Sequence, residues 1–305
     1  MRIIHTRKRV FKKDSAFHNK FTLLVWILSI LKWKQYGEMV LYCDPETLED
    51  IKYFGFDHLY DEINTTYLVD PKVCRGINFS DYWAMPKLLA LRHEMLDLGH
   101  TVIVSDQDVV PIRDPSFLLQ GDVAVWSDRE HVELPGIYPA LINLSLPVGF
   151  KLPAWYTGKA KPLNTGILYF KDKEIVRQYT DIALSMARNN KNLLKNTCCQ
   201  TMCNAEQRTL GELVKHKNLI VRYMQARGDG LFGYNGFHTH GYKIRVKRDG
   251  RTLNWHLHIL QLIKECDESM YNTLINHEWF QEEREATSFT PIKELQIYGT
   301  PGDTE

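Results

Sequence analysis

The first hundred residues alternate between short strand-like apolar runs and longer apolar stretches of helical length. Strand-like runs occur at "MRIIHT", "EMVLYC" and "HTVIVSD". Helices are predicted for residues 17 to 35, for "DPETLEDIKYFG" and for about Asp81 to Gly99. Strands that alternate with helices in this way build parallel sheets. The sequence therefore predicts an α/β fold with a mostly parallel sheet flanked by helices.

Signals for the ends of helices support this interpretation. Asp44 followed by proline predicts a capped helix start, and Gly55 predicts its end. Pro86 predicts a kink or a late start in the helix that ends at Gly99. In the second half, Asp172 and Asn204 are expected to cap two further helices. Further strands are predicted at "DVAVWSD", "PLNTGILYFK" and "NLIVRYM".

The composition is that of an ordinary globular protein. Of the 305 residues, 44% are hydrophobic and 25% are charged, and the net charge is +1. Such a balance provides no electrostatic argument for a nucleic-acid or anionic-membrane partner. No repeat or linker divides the chain, so we predict a single domain over 1–305. Two halves are expected within it, 1–128 and 129–305, the second of which includes the C-terminal helices.

The longest apolar run covers residues 21 to 33, which is shorter than the ~20 residues needed to cross a bilayer. It also follows a leader too polar for a signal peptide, so no transmembrane segment and a cytoplasmic location are expected. Isolated cysteines show no disulfide framework, in agreement with that location. Cys198, Cys199 and Cys203 could hold zinc together with a histidine, but free thiols are the favoured interpretation.

Two aspartates one residue apart, Asp106 and Asp108, end the apolar run "VIVS". Ligands of α/β sheets bind beyond the carboxyl ends of the strands. Alternate residues of an extended segment point the same way, so the two carboxylates can share one site. Carboxylates that close repel each other unless a cation lies beside them. The motif predicts a divalent cation at the end of this strand, and a solvated turn is the alternative.

Three further polar motifs follow along the chain. "NTG" places Asn164 and Gly166 at the start of a strand, where an amide could bind hydroxyls and a glycine could admit a substrate. An ordinary Asx turn is the alternative. "AEQ" contains Glu206 and Gln207 near a predicted helix start, where a carboxylate is also stabilised by the helix dipole. "HTHGYK" starts at His238.

These four motifs, with "YWAMPKLLAL", "LNTGILYF" and "NAEQRTL", resemble glycosyltransferases of the GT-A fold. They are also similar to an uncharacterised bacterial family of nucleotide-diphospho-sugar transferases. The resemblance covers roughly Phe17 to Lys243. It implies that 1–128 form the nucleotide-binding half and 129–305 the acceptor and sugar half. It implies a Rossmann-like sheet, Mn²⁺ or Mg²⁺, a UDP- or GDP-linked sugar donor, and transfer to an unidentified acceptor with retention of anomeric configuration.

The resemblance also implies a role for individual residues. The implied metal ligands are Asp106, Asp108 and His238; the implied donor-binding residues are Asp106, Lys87, Thr165, Gly166 and Lys243; and the implied catalytic residues are Glu206, Gln207 and Asn164. Three other histidines compete with His238 as metal ligand: His240, His256 and His258. The aromatic stretch from Leu134 to Trp155 is expected to form part of the acceptor site or a lid, because aromatic faces stack on sugar rings.

Two other functions remain open from the sequence. D-x-D after an apolar strand also opens the motif of haloacid-dehalogenase-like phosphatases, in which Asp106 would be the nucleophile and "RGDGLFGYN" a later acidic motif. Against this interpretation, the D-x-D motif of such phosphatases would be expected near the first strand. In addition, "GDGLFGYN" lacks the second acidic residue of the later motif. The third alternative is a non-catalytic module that binds a sugar or a nucleotide.

Overall fold

The computed structural model describes residues 1–9, 19–128, 146–190, 202–225, 235–239 and 252–286. Within these ranges the strands are β1 Arg2–Arg7, β2 Glu38–Cys43, β3 Glu62–Asn64, β4 Val102–Ser105, β5 Val109–Pro111, β6 Val123–Ser127, β7 Asn164–Phe170, β8 Val221–Tyr223 and β9 Gly236–His238. The α-helices are α1 Lys20–Trp33, α2 Pro45–Tyr53, α3 Met85–Arg92, α4 Lys173–Ala187, α5 Thr209–Lys217, α6 Thr252–Cys266, α7 Glu268–Asn276 and α8 Gln281–Glu285.

Seven of the described strands form one sheet, in the order β3-β2-β1-β4-β7-β6-β8. β1 pairs in parallel with β2 and β4, β2 pairs in parallel with β3, and β8 pairs in parallel with β6. β7 is antiparallel to both of its neighbours, β4 and β6. The predicted mixed, mostly parallel α/β sheet is confirmed. A separate two-stranded ribbon joins β5 to β9.

Both faces of the sheet are buried, because successive strand residues contribute to different cores. Ile3 packs with α1 and α6 on one face, whereas Ile4 packs with α3, α4 and α5 on the other. α1 is strongly apolar because it lies in one of these cores, where eleven of its residues are buried, including Ser29. A sheet covered on both faces needs near-continuous apolar strands, as in "EMVLYC".

Most predicted helix ends are confirmed. Asp44 caps α2 by accepting a hydrogen bond from the amide of Thr47, and Asp172 caps α4. Pro86 lies in the first turn of α3, so it marks a late start. A π-helical segment, His93–Asp97, continues α3. In the part of the chain that the structure describes, no helix is long and apolar enough to span a bilayer.

The prediction that Asn204 caps a helix is wrong. Asn204 begins a π-helical segment, Asn204–Arg208, that already follows helical residues and runs directly into α5. Its neighbour Cys203 has helical dihedral angles. Glu206 and Gln207 are therefore inside a helix, so stabilisation at a helix start does not explain their presence.

A loop over residues 157–163 lies against the start of α5. The carboxylate of Glu212 accepts hydrogen bonds from the backbone amides of Thr157 at 3.0 Å and Ala160 at 2.8 Å. Burial raises the pKa of Glu212, but these amide donors outweigh burial and lower it below its ordinary value. Gly211, one residue earlier, allows the loop backbone to touch the helix. The motif "LGEL" thus fixes the loop that leads into β7.

Gly211→Ala should destabilise the protein. In a helix this change ordinarily raises stability by about 0.5–1 kcal/mol. Here an added Cβ would lie 2.0 Å from the carbonyl oxygen of Lys161, so the loop or the helix must shift. We expect the free energy of unfolding in urea to fall by about 1–3 kcal/mol, the usual effect of overpacking. Stability equal to or above that of the unsubstituted protein would contradict this packing.

Candidate functional site

The aspartate pair lies at the carboxyl end of β4, in the middle of the sheet. Asp106 directly follows β4, and its backbone amide donates to the carbonyl oxygen of Gly166 at 2.8 Å. This bond exists because β7 runs antiparallel to β4, so the first residues of β7 lie beside the last residues of β4. The motifs "SDQDV" and "NTG" therefore meet at one place.

His238 reaches the aspartates through the β5–β9 ribbon. In this ribbon His238 pairs with Val109, the residue that follows Asp108. Its Nε2 lies 3.3 Å from Oδ1 of Asp108 and 4.0 Å from Oδ2 of Asp106. The imidazole is 3% exposed and packs edge-on against Trp126. Pairing of two short strands thus brings together residues that are 130 positions apart in sequence.

Thr239 holds Asp108 from the same ribbon. Its backbone amide donates to the carbonyl oxygen of Asp108 at 3.1 Å, and its hydroxyl donates to Oδ2 at 3.4 Å. Thr239 and Trp126 were not identified from the sequence. The only signal for Thr239 was its position next to His238 in "HTH", and Trp126 had none, because strand pairing sets its contact.

Asp106, Asp108 and His238 each offer a ligand atom, and these atoms lie within 4.8 Å of one another. One cation with bonds of about 2.1 Å can reach ligands at such separations after small side-chain adjustments. Carboxylate oxygens suit Mg²⁺ and Mn²⁺, and a neutral imidazole is a common additional ligand. The donor set fits a divalent ion.

Lys87 lies behind the aspartates with its ammonium group buried. Nζ lies 3.0 Å from Oδ1 of Asp106, 2.8 Å from Oε1 of Glu206 and 2.8 Å from the carbonyl oxygen of Thr165. The residue is 5% exposed. Burial lowers the pKa of Lys87, but the two carboxylates outweigh it and raise the pKa above its ordinary value. Lys87 is therefore charged and linked to protein acceptors in three directions.

Glu206 is nearly inaccessible, with 1% exposure. Burial raises its pKa, and the charge of Lys87 opposes this effect. With three carboxylates (Asp106, Asp108, Glu206) and one ammonium (Lys87), the site carries a formal charge of −2 when all are ionised. If Glu206 is protonated, the charge is −1. In either case the site favours an additional cation.

The three residues of "NTG" face different partners. Oδ1 of Asn164 accepts the amide of Gly166 at 2.9 Å, which is the Asx turn that the sequence left as an alternative. Thr165 is buried, and both its carbonyl and hydroxyl oxygens face Lys87. An added Cβ on Gly166 would lie 2.8 Å from Cε1 of His238. The absence of a side chain at Gly166 therefore admits the imidazole of His238.

Other predicted site residues are distributed as follows. Gln207 is buried, and its carbonyl oxygen accepts the amide of Leu163 at 3.2 Å. Lys243 and His240 lie outside the described residues, as do Cys198, Cys199 and most of "RGDGLFGYN". Cys203 is buried on the helix before Asn204. Within the aromatic stretch, residues 134–145 are also outside them, and Trp155 stacks on His216 with ring centroids 4.6 Å apart.

Two of the competing histidines have other surroundings. Nδ1 of His256 lies 2.7 Å from Oε1 of Glu283, a buried carboxylate that also binds Lys20 at 2.7 Å. His256 therefore links α6 to α8, and Glu283 extends this link to Lys20 at the start of α1. His258 is buried on the same helix, and burial lowers its pKa. Among the described residues, the aspartates form a metal-type cluster only with His238.

Comparisons with known proteins give matches only at the level of structure. No family model matches the sequence, and no curated protein does. One similar structure is titled "PaToxG Glycosyltransferase", with 13% identity, a TM-score of 0.36, and coverage of 94% of this chain and 87% of that chain. A galactosyltransferase LgtC in complex with donor and acceptor sugar analogues has 13% identity, a TM-score of 0.38, and coverage of 74% and 73%.

A third similar structure is mouse xyloside xylosyltransferase 1 in its apo form, with 10% identity, a TM-score of 0.36, and coverage of 79% of this chain and 97% of that chain. All three are glycosyltransferases, the class that the sequence motifs resemble. Because the TM-scores are below 0.5, the likeness carries no argument about this chain's site, and its function rests on the residues themselves.

Lys87→Met should strongly destabilise the protein, and Glu206→Gln should partly restore it. Removing the ammonium leaves the buried carboxylate of Glu206 without its cation, which costs about 3–5 kcal/mol of unfolding free energy. The double variant Lys87→Met/Glu206→Gln removes that charge as well. Urea unfolding at pH 7 should rank the double variant above Lys87→Met; equal stability would contradict the coupling.

The same pair predicts a pH dependence. The pKa of Glu206 is raised in the folded protein, and losing Lys87 raises it further. A carboxyl with a raised folded pKa stabilises the fold at low pH and loses that contribution as pH rises through the folded value. Relative to the unsubstituted protein, Lys87→Met should therefore lose more unfolding free energy at pH 7 than at pH 5. The double variant should show a smaller difference between the two pH values, and urea unfolding at both measures it.

Proposed function

We propose that this protein is a metal-dependent glycosyltransferase that moves a sugar from a nucleotide-diphosphate donor to an acceptor. The observation that carries the proposal is the group Asp106, Asp108 and His238 at the carboxyl end of the central strand β4. Ligands of such sheets bind at that edge. A diphosphate is an anion, and the surplus of carboxylates there would require a divalent cation to bind it.

The proposed metal ligands are Asp106, Asp108 and His238, and the ion is Mn²⁺ or Mg²⁺. When bound, the ion would stabilise the leaving diphosphate as a Lewis acid. The chain's own contribution is to hold the ligands. Thr239 orients Asp108, the space above Gly166 admits His238, and Lys87 keeps the carboxylate of Asp106 in place.

The donor is proposed to be UDP- or GDP-linked, with Lys87, Thr165, Gly166 and Lys243 as further donor-binding residues. In the structure, the ammonium of Lys87 donates both to Asp106 and to the carbonyl oxygen of Thr165. We infer that they act on the donor by shaping the floor of its site. Asn164 is proposed to meet a sugar hydroxyl, because a side-chain amide can both donate to and accept from hydroxyl groups.

Retention of anomeric configuration is proposed for the transfer. An inverting enzyme needs a general base within reach of the acceptor hydroxyl. Among the described carboxylates of the site, Asp106 and Asp108 face His238, and Glu206 is buried against Lys87. In a retaining reaction on one face of the sugar, the departing diphosphate oxygen takes the hydroxyl proton. Glu206 and Gln207 are proposed to lie near the sugar as stabilisers of the oxocarbenium-like state.

Loss of the metal ligands should abolish metal-dependent nucleotide binding. We expect Asp108→Ala to weaken binding of UDP or GDP in the presence of Mn²⁺ by more than about 100-fold, which exceeds the usual effect of changing a residue outside the ligand set. The fold should be retained, because the change relieves repulsion between carboxylates. Isothermal titration calorimetry measures the affinity, and unchanged affinity in Asp108→Ala would refute the metal centre.

Two histidine variants sharpen this experiment. His238→Ala should raise the Mn²⁺ concentration needed for half-maximal nucleotide binding. His256→Ala is the matched control, since it also removes a buried imidazole that contacts a carboxylate. It should change stability only. Rapid hydrolysis of an aryl phosphate that Asp106→Asn abolishes would instead favour the phosphatase alternative.

The stereochemical prediction is tested on the product itself. Proton NMR of the first-formed product from an α-linked donor should show an α-linkage. A β-linked first product would show inversion, and Glu206 would then become the leading candidate for the general base. A panel of nucleotide sugars, screened by Mn²⁺-dependent thermal shift and slow hydrolysis, identifies the donor for this measurement.

A further inference from the structure

Val109 occupies a central position next to the proposed metal centre. It follows Asp108 in sequence and pairs with His238 across the ribbon. In an antiparallel ladder successive carbonyls point to opposite sides. The carbonyl of Asp108 points to β9, where it accepts the amide of Thr239. The carbonyl of Val109 therefore points away from β9, towards α1.

Two side chains of α1 bind this carbonyl. The hydroxyl of Ser29 donates to it at 2.6 Å, and the indole Nε1 of Trp33 donates to it at 3.1 Å. Both residues are 0% exposed. They are one helical turn apart, so they project from the same face of α1. A buried carbonyl without a partner is costly, and here one helix supplies two donors to a single oxygen.

The hydroxyl of Ser29 also belongs to a chain of buried polar groups. Trp26 Nε1 can only donate, and it binds the hydroxyl oxygen of Tyr60 at 2.7 Å. Nδ1 of His5 lies 3.0 Å from the same hydroxyl oxygen, and Nε2 of His5 lies 3.5 Å from Ser29 Oγ, with donor and acceptor set by the tautomer of the ring. Burial lowers the pKa of His5 to about 3, so the ring is neutral. A carbonyl oxygen can only accept, so the Ser29 hydroxyl donates its proton to Val109.

We propose that Ser29 and Trp33 are positioning residues for the Asp106, Asp108 and His238 centre, and that they act through the carbonyl of Val109. By fixing the carbonyl of Val109, they fix the backbone next to Asp108. Because Val109 also pairs with His238, they thereby hold Asp108 and His238 at the separation that one ion needs. This inference rests on the metal centre of the proposed function. It explains why the buried residues of α1, which are otherwise apolar or aromatic, include a serine.

The test is the dissociation constant for Mn²⁺ alone, measured by electron paramagnetic resonance of the free ion. Ser29→Ala and Trp33→Phe each leave one donor on the carbonyl, so each should weaken Mn²⁺ binding by about threefold. The double variant leaves none. It should weaken binding by about tenfold or more, as changes just outside a ligand set do. Wild-type Mn²⁺ affinity in a folded double variant would overturn the proposal.

Tyr82→Phe is the matched control. It also removes a buried hydroxyl that donates to a backbone carbonyl, that of Met186 at 3.2 Å, but in the core on the opposite face of the sheet. Its Mn²⁺ affinity should be unchanged even where its thermal stability falls as much as that of Ser29→Ala. An equal loss of affinity in Tyr82→Phe would overturn the proposal, because a general loss of stability would then explain the effect.

Two further outcomes are distinguishable. If the double variant does not fold, the comparison of Ser29→Ala with Tyr82→Phe decides, and wild-type Mn²⁺ affinity in Ser29→Ala overturns the inference. If the unsubstituted protein itself binds no Mn²⁺, the metal centre of the proposed function fails, and the inference fails with it.

Discussion

The electrostatic imbalance at the end of β4 is the constraint on which the arrangement of the site depends. Three carboxylates lie close together in a mostly buried place, and Lys87 is the cation that the described residues supply to them. Buried charges must be paired, because isolated ones are expensive to desolvate. Lys87 compensates Asp106 and Glu206, and the imidazole of His238 lies against Asp108 and Asp106. The site is thus prepared for a second cation.

The surrounding fold serves to hold these charges in place. Buried cores on both faces of the sheet make the strands rigid supports, and the antiparallel β7 places the "NTG" residues beside Asp106. Hydrogen bonds from α1 reach the peptide group of Val109, and the loop held by Glu212 leads into β7. A metal site needs ligands fixed to within a fraction of an ångström, and rigid elements provide this better than loops do.

Several residues have surroundings in the structure that differ from those expected from the sequence. Gly166 was expected to admit a substrate, and the group it admits in the structure is the imidazole of His238. Asn204 was expected to cap a helix, but it lies within one. His256 was a rival metal ligand, yet it binds Glu283. In each case the residue type was informative about polarity or size, while the partner depended on elements far away in sequence.

The sequence by itself determined the order of the longer strands and helices up to β8, without the short strands β3 and β5, and it also determined the mostly parallel character of the sheet and the position of the aspartate pair at a strand end. These features follow from local periodicity, capping residues and the rule that ligands bind at the carboxyl edge of such sheets. Tertiary structure alone decided that β7 inserts antiparallel between β4 and β6, that Lys87 joins Asp106 to Glu206, and that, among the described histidines, His238 lies at the aspartates. Those contacts join residues 19 to 132 positions apart, and their formation depends on long-range strand pairing and charge compensation, which local patterns do not encode.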